Sequence, residues 1–120
     1  MTRGELIRMF VLSEISDDYE EPEHIFDNVS KRARICGIDL KPEDIRAAVL
    51  ELIGFGLAKA YRLSTRDPVV EVQGVPPSTQ FADYYFLITE KGRGAHSTWR
   101  KEWPLDDEDS LLPGWVPPTD

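Results

Sequence analysis

Eight basic side chains along the chain are suited to contacting phosphate groups. Lysine and arginine neutralise the phosphates of nucleic acid and release their counterions. Arginine also forms bidentate hydrogen bonds to guanine. The candidates for such contacts are Lys31, Arg32, Arg34, Lys41, Arg46, Lys59, Arg62 and Arg66. An alternative stays open for two clusters among them. Lys31, Arg32 and Arg34 near the end of the second helix would complement its dipole, and Lys59, Arg62 and Arg66 on the first strand and wing would discourage edge pairing.

Residues for catalysis or metal binding are sparse. His24 and His96 have no metal ligand at a useful spacing. The run from Asp106 to Asp109 lacks the glycine turn and closing glutamate of a calcium loop. The one cysteine, Cys36, ends an apolar helical stripe and is predicted to be a packing residue. We therefore expect no enzyme activity, no bound metal and no cofactor.

Three helices are predicted in the first half of the chain. Leu6, Phe10 and Ile15 belong to an apolar stripe over residues 3–15. A second helix opens at Pro22 and ends before Gly37, because proline suits the first helical position and glycine the position after the last. The third helix spans residues 42–55, with apolar residues at helical spacing from Ile45 to Ile53.

The apolar period changes to two after Gly56. Residues 57–63 and 84–88 are predicted to form an antiparallel strand pair. The connection between them carries VVEV at residues 69–72, which suits an additional short strand. Thr89 is placed to cap a last helix over residues 90–100. This order of elements predicts an α+β fold.

Composition and charge suggest one domain followed by an acidic tail. The chain has 120 residues, 41% of them hydrophobic, and a net charge of −8. Residues 102–120 hold six acidic and no basic side chains and account for −6 of that charge. With no run of 18 apolar residues and a charged start, we expect a cytoplasmic protein that does not associate with membranes.

A family resemblance lies in DIRAAVLELIGFGLAKAYRL followed by YYFLITEKGR. These segments, within an order of three helices, hairpin and short helix, resemble the winged-helix transcription regulators of bacteria and archaea. The resemblance covers about residues 3–100 and implies a winged helix-turn-helix domain over 1–101, with a three-helix core, a β-hairpin wing and a short fourth helix. It also implies that helix 42–55 is the DNA-recognition helix and that the hairpin tip between residues 63 and 84 is the wing.

Two functions remain open from the sequence. The resemblance favours binding of double-stranded DNA in transcriptional regulation, with a homodimer suited to palindromic sites. The predicted outward face of the third helix holds Glu43, Arg46, Ala47, Leu50 and Glu51. The alternative is a protein-interaction module without DNA affinity, because Ala47 and Leu50 lie there among acids. Aromatic residues of the kind that anchor interfaces, or else fold back over the core, are Trp99, Trp103 and Trp115. A further hypothesis is that the acidic tail screens the basic surface from DNA.

Overall fold

The structure is a computed structural model that describes residues 1–62 and 70–119. Its four α-helices are α1 (Arg3–Glu14), α2 (Pro22–Ile35), α3 (Pro42–Gly54) and α4 (Glu90–Trp99). An antiparallel sheet with the order β2-β1-β3 is formed by β1 (Ala58–Arg62), β2 (Val70–Glu71) and β3 (Tyr85–Ile88). Two short 3-10 helices span Ser78–Asp83 and Arg100–Glu102. The α+β prediction is confirmed, as is a short strand within residues 69–72.

The helix boundaries follow from local capping. Thr2 and Glu5 form a capping box at the start of α1, and the hydrogen bonds from Thr2 lower the pKa of the Glu5 carboxyl. Proline occupies the first position of both α2 and α3, where no hydrogen bond from its nitrogen is needed. Gly37 follows α2 with a φ of +78°, a left-handed conformation that favours glycine and ends the helix as predicted.

The core is built around α1. Its residues from Leu6 to Leu12, apart from the half-buried Arg8, are buried, so apolar side chains leave α1 on nearly every side. The helix packs against α2, α3 and α4. Helix α2 buries Ile25 and Val29 in this core. Helix α3 buries Ile45, Val49 and Leu52, which belong to its predicted apolar stripe. Cys36 is also buried, in agreement with its predicted packing role.

The sheet covers one end of this helical core. Ala58 lies opposite Ile88 and Ala60 opposite Phe86, and these four residues form its buried face. On the free edge of β3, Glu20 pairs with Phe86 through two backbone hydrogen bonds of 2.9 Å. The sequence pattern did not predict this contact, because a single bridging residue leaves no periodicity.

Helix α4 is fastened to the turn between α3 and β1. The Thr89 hydroxyl donates to the Gly56 carbonyl at 2.7 Å and accepts from the Gly92 nitrogen at 3.0 Å. The Lys91 ammonium donates to the Phe55 carbonyl at 2.9 Å. The predicted cap at Thr89 is therefore present, and it also fixes the position of the helix on the preceding turn.

The segment after α4 returns to the body of the protein. Trp103 lies edge-on to Phe10 of α1, with ring centroids 5.2 Å apart. Leu105 is buried and pairs with Leu111 through a bridge, and Trp115 packs against the core. Among the described residues, no helix combines the length and apolarity needed to cross a membrane.

Candidate interaction surface

One side of α3 is open to solvent. Glu43, Ala47 and Glu51 are exposed at intervals of four residues, and the neighbouring Leu50 is half-buried. We call these four residues the α3 outer face. Because the opposite side of the helix holds the buried Ile45, Val49 and Leu52, α3 is seated in the core with this flank free. The face is acidic and apolar in composition.

Arg46, the one basic residue predicted on the outward side of α3, has an aromatic partner within the chain. Its guanidinium carbon is 5.8 Å from the centroid of the Phe81 ring, and the side chain is half-buried. Phe81 in turn stacks on Phe26 of α2 at 5.8 Å and on Phe86 of β3 at 4.9 Å. The 3-10 helix Ser78–Asp83 thus carries an aromatic ring into the core and holds Arg46 beside it.

The C-terminal end of the α3 outer face is completed by Arg8. Its guanidinium bonds the Glu51 carboxylate at 2.9 Å and lies 5.7 Å from the Phe55 ring centroid. This pair crosses from α1 to the end of α3. Phe55 itself remains 53% exposed, which extends the apolar character of the face beyond the end of α3.

Arg32 and two further basic candidates have partners within the chain. Arg32 forms an ion pair with the largely buried carboxylate of Glu14 and lies 5.6 Å from the Trp103 ring centroid. It therefore joins α1, α2 and the C-terminal segment.

On β1, Lys59 pairs with Glu71, and this hydrogen bond raises the pKa of the Lys59 ammonium. Arg62 donates to the Tyr84 hydroxyl at 3.2 Å, which raises the pKa of its guanidinium.

Three basic candidates are exposed around the connection between α2 and α3. They are Lys31 and Arg34 near the end of α2 and Lys41 immediately before α3. Arg66 lies outside the described residues. The structure describes the other seven candidates. It leaves three at the α2–α3 connection and engages Arg32, Arg46, Lys59 and Arg62 in contacts with other parts of the chain.

The tryptophans proposed as interface anchors are partly covered by the chain itself. The guanidinium carbon of Arg100 lies 3.8 Å from the centroid of the Trp103 ring, and the same ring contacts Phe10. Trp99 and Trp115 are half-buried against the core. This is the fold-back arrangement left open by the sequence. The tail contacts described are those of Trp103 with Phe10 of α1 and with Arg32 of α2.

Titratable groups that could support chemistry are few in the part of the chain the structure describes. No group of three or more histidine, cysteine or carboxylate side chains there is arranged to hold a metal ion. Burial raises the pKa of the Cys36 thiol to about 11, which keeps it protonated and unreactive at neutral pH. Burial, with Arg100 and Arg93 nearby, lowers the pKa of His96.

Comparison with known proteins adds no family assignment. No protein-family model matches the chain, and no significant match is found among curated proteins or solved structures.

Proposed function

We propose that the chain is a winged-helix domain that binds a protein partner through the α3 outer face. The winged-helix part rests on the order of elements, three helices followed by the antiparallel β1–β3 pair and a short helix. It is also supported by the glycine after α3 and by the Thr89–Gly92 segment that follows β3. In the regulators that the sequence resembles, α3 is the helix that meets the target.

The composition of the α3 outer face favours a protein partner over DNA. Glu43 would oppose phosphates, since its carboxylate is exposed on the side that would enter a groove, and the Glu51 carboxylate beside it is already paired with Arg8. Ala47 and Leu50 between them offer a small apolar surface, and Phe55 enlarges it. Apolar centres with a polar rim are typical of protein interfaces.

DNA binding is the second candidate, supported by the cations at the α2–α3 connection. Lys31, Arg34 and Lys41 are exposed there and would be available to phosphates flanking a groove. Such contacts position a protein on DNA without reading its sequence. Arg46 is the one basic residue on α3 and lies beside Phe81, so direct readout of bases by α3 would require it to leave this contact.

A matched pair of variants tests the proposed protein-binding face. Ala47→Arg places a long cation at the centre of the α3 outer face, and Ser97→Arg makes a similar change at an exposed position of α4. We expect a protein that is captured by the wild type and by Ser97→Arg to be lost with Ala47→Arg. Capture that is equal for all three proteins would refute binding through this face.

A double variant separates the two candidate functions. Lys31→Ala combined with Arg34→Ala removes two phosphate-binding candidates without changing α3. If protein binding is the function, capture of the partner is unchanged in this double variant. If capture requires DNA, it is lost in the double variant and on nuclease treatment, and the proposal of a protein partner is wrong.

A further inference from the structure

We propose that a groove beside the start of α2 binds an arginine-bearing extended segment of a partner protein. The groove has a volume of about 340 Å³ and is lined by Glu21, Pro22, Glu23, Phe26, Ala82, Tyr84 and Tyr85. We call it the tyrosine groove. It shares no residue with the α3 outer face, so this inference does not depend on the proposed function.

The apolar walls of the tyrosine groove are held in place by contacts outside it. Phe26 stacks on Phe81 at 5.8 Å, and Tyr84 is almost fully buried. The Tyr84 hydroxyl donates to the side-chain oxygen of Gln80 at 2.9 Å. Because these rings are already packed, a ligand does not have to order them. Aromatic and apolar walls suit the long methylene stem of a basic side chain, and the half-buried rings of Phe26 and Tyr85 can also attract its charge. The Tyr84 ring already has the Arg62 guanidinium 5.3 Å from its centroid.

The charges around the tyrosine groove favour a cation. Glu21 and Glu23 belong to its lining and are exposed. They are part of residues 16–23, which hold five acidic side chains. Two basic residues lie nearby. His24 is 3.4 Å from Glu20, and Arg62 donates to the Tyr84 hydroxyl. The two carboxylates of the lining remain without an ion pair in the described structure.

Arginine fits this combination better than lysine. A guanidinium is planar, so it stacks on an aromatic ring and hydrogen-bonds a carboxylate at the same time, whereas an ammonium is a strongly hydrated point charge. The chain shows this behaviour with its own arginines. Arg8 bonds Glu51 and lies over Phe55, and Arg32 pairs with Glu14 and lies over Trp103.

A peptide segment fits the surroundings of the groove better than a free small molecule. The volume of the tyrosine groove lies near the lower end of the roughly 300–1,000 Å³ typical of small-ligand clefts, so the groove has room for one side chain. Tyr85 also belongs to the outer face of the sheet, where it lies opposite Tyr61. Tyr19 packs on Tyr61 with ring centroids 5.0 Å apart. The residues flanking the arginine would therefore meet a surface of tyrosines.

The test is an NMR titration of the isotope-labelled full chain with the capped peptide acetyl-Gly-Leu-Arg-Leu-Gly-amide. The matched probe carries citrulline in place of arginine and removes the charge while keeping the shape. We expect saturable shifts at Glu23, Phe26, Ala82 and Tyr85, and an affinity for the citrulline peptide that is weaker by about fivefold or more.

Charge variants of the protein complete the test. Glu21→Gln and Glu23→Gln should each lower the affinity for the arginine peptide by about threefold. Glu108→Gln, the same change in the tail, should leave that affinity unaltered. Equal binding of the two peptides, shifts outside the groove, or equal effects of all three variants would overturn the proposal. Binding of acetyl-arginine amide as tightly as the peptide would overturn the assignment to a peptide segment.

Discussion

Gly92 of α4 rests directly on the carbonyl oxygen of Leu57. A Cβ built at residue 92 would overlap that oxygen and lie 2.7 Å from the Ile88 side chain. The helix can approach the turn before β1 this closely only because glycine has no side chain. The same contact brings Thr89 to the Gly56 carbonyl and so fixes α4 against the end of α3.

Replacing Gly92 should therefore destabilise the protein. Gly92→Ala forces α4 away from Leu57, and we expect the free energy of unfolding to fall by about 1–3 kcal/mol or more. Gly94→Ala is the matched control, since a Cβ there meets nothing within 4 Å. Because alanine is the better helix former, that control should gain about 0.5–1 kcal/mol. Denaturant unfolding measures both, and a loss at residue 94 equal to that at residue 92 would contradict this packing.

Arg32 and Arg34 should differ in their effect on stability although both were predicted to contact DNA. Arg32→Ala leaves the Glu14 carboxylate without its ion pair and removes a contact on Trp103, which should cost about 1–3 kcal/mol. Arg34 is exposed, so Arg34→Ala should change the free energy of unfolding by less than about 0.5 kcal/mol. Equal losses in thermal or denaturant unfolding would refute the structural role of Arg32.

Stability at alkaline pH should respond to Cys36. Burial raises the pKa of this thiol from 9.0 to about 11 in the folded chain, so folding favours the protonated form. The stabilisation is fully present below pH 9.0 and is lost as the pH rises toward about 11.

A Cys36→Ala variant lacks this titration. The difference in the free energy of unfolding between wild type and variant should be constant below pH 9.0 and shift against the wild type between pH 9.0 and about 11. A difference that does not change with pH would show that the thiol titrates normally. Iodoacetamide should also label the folded wild type slowly and the unfolded chain rapidly.

The helical and strand elements could be predicted because their signals are local. Proline and glycine mark the ends of α2 and α3, and the apolar stripe of α3 matches its buried residues. The burial of Phe81 and the bridge of Glu20 to β3 were not predicted. Phe81 lies alone in a polar segment, and its burial comes from partners distant in the sequence, Phe26 and Phe86.

The site was harder to predict than the fold because it depends on side-chain partners. Sequence spacing placed Arg46 on the outward side of α3, but it could not reveal Phe81 beside it. It likewise could not show that Arg32 meets Glu14, from a different helix. The exposed residues Glu43, Ala47 and Glu51 were predicted correctly as outward, since helical periodicity alone determines their direction.

The most direct test of a protein-binding rather than phosphate-binding α3 is the anisotropy of a labelled mixed-sequence duplex titrated with the full chain at low ionic strength. We expect no saturable binding. A companion variant in which Asp106, Asp107, Glu108 and Asp109 are changed to their amides should behave in the same way, which also addresses screening by the tail. If either protein binds the duplex, and this binding weakens steeply with added salt and is lost with Lys31→Ala and Arg34→Ala, then α3 is not a protein-binding helix without DNA affinity.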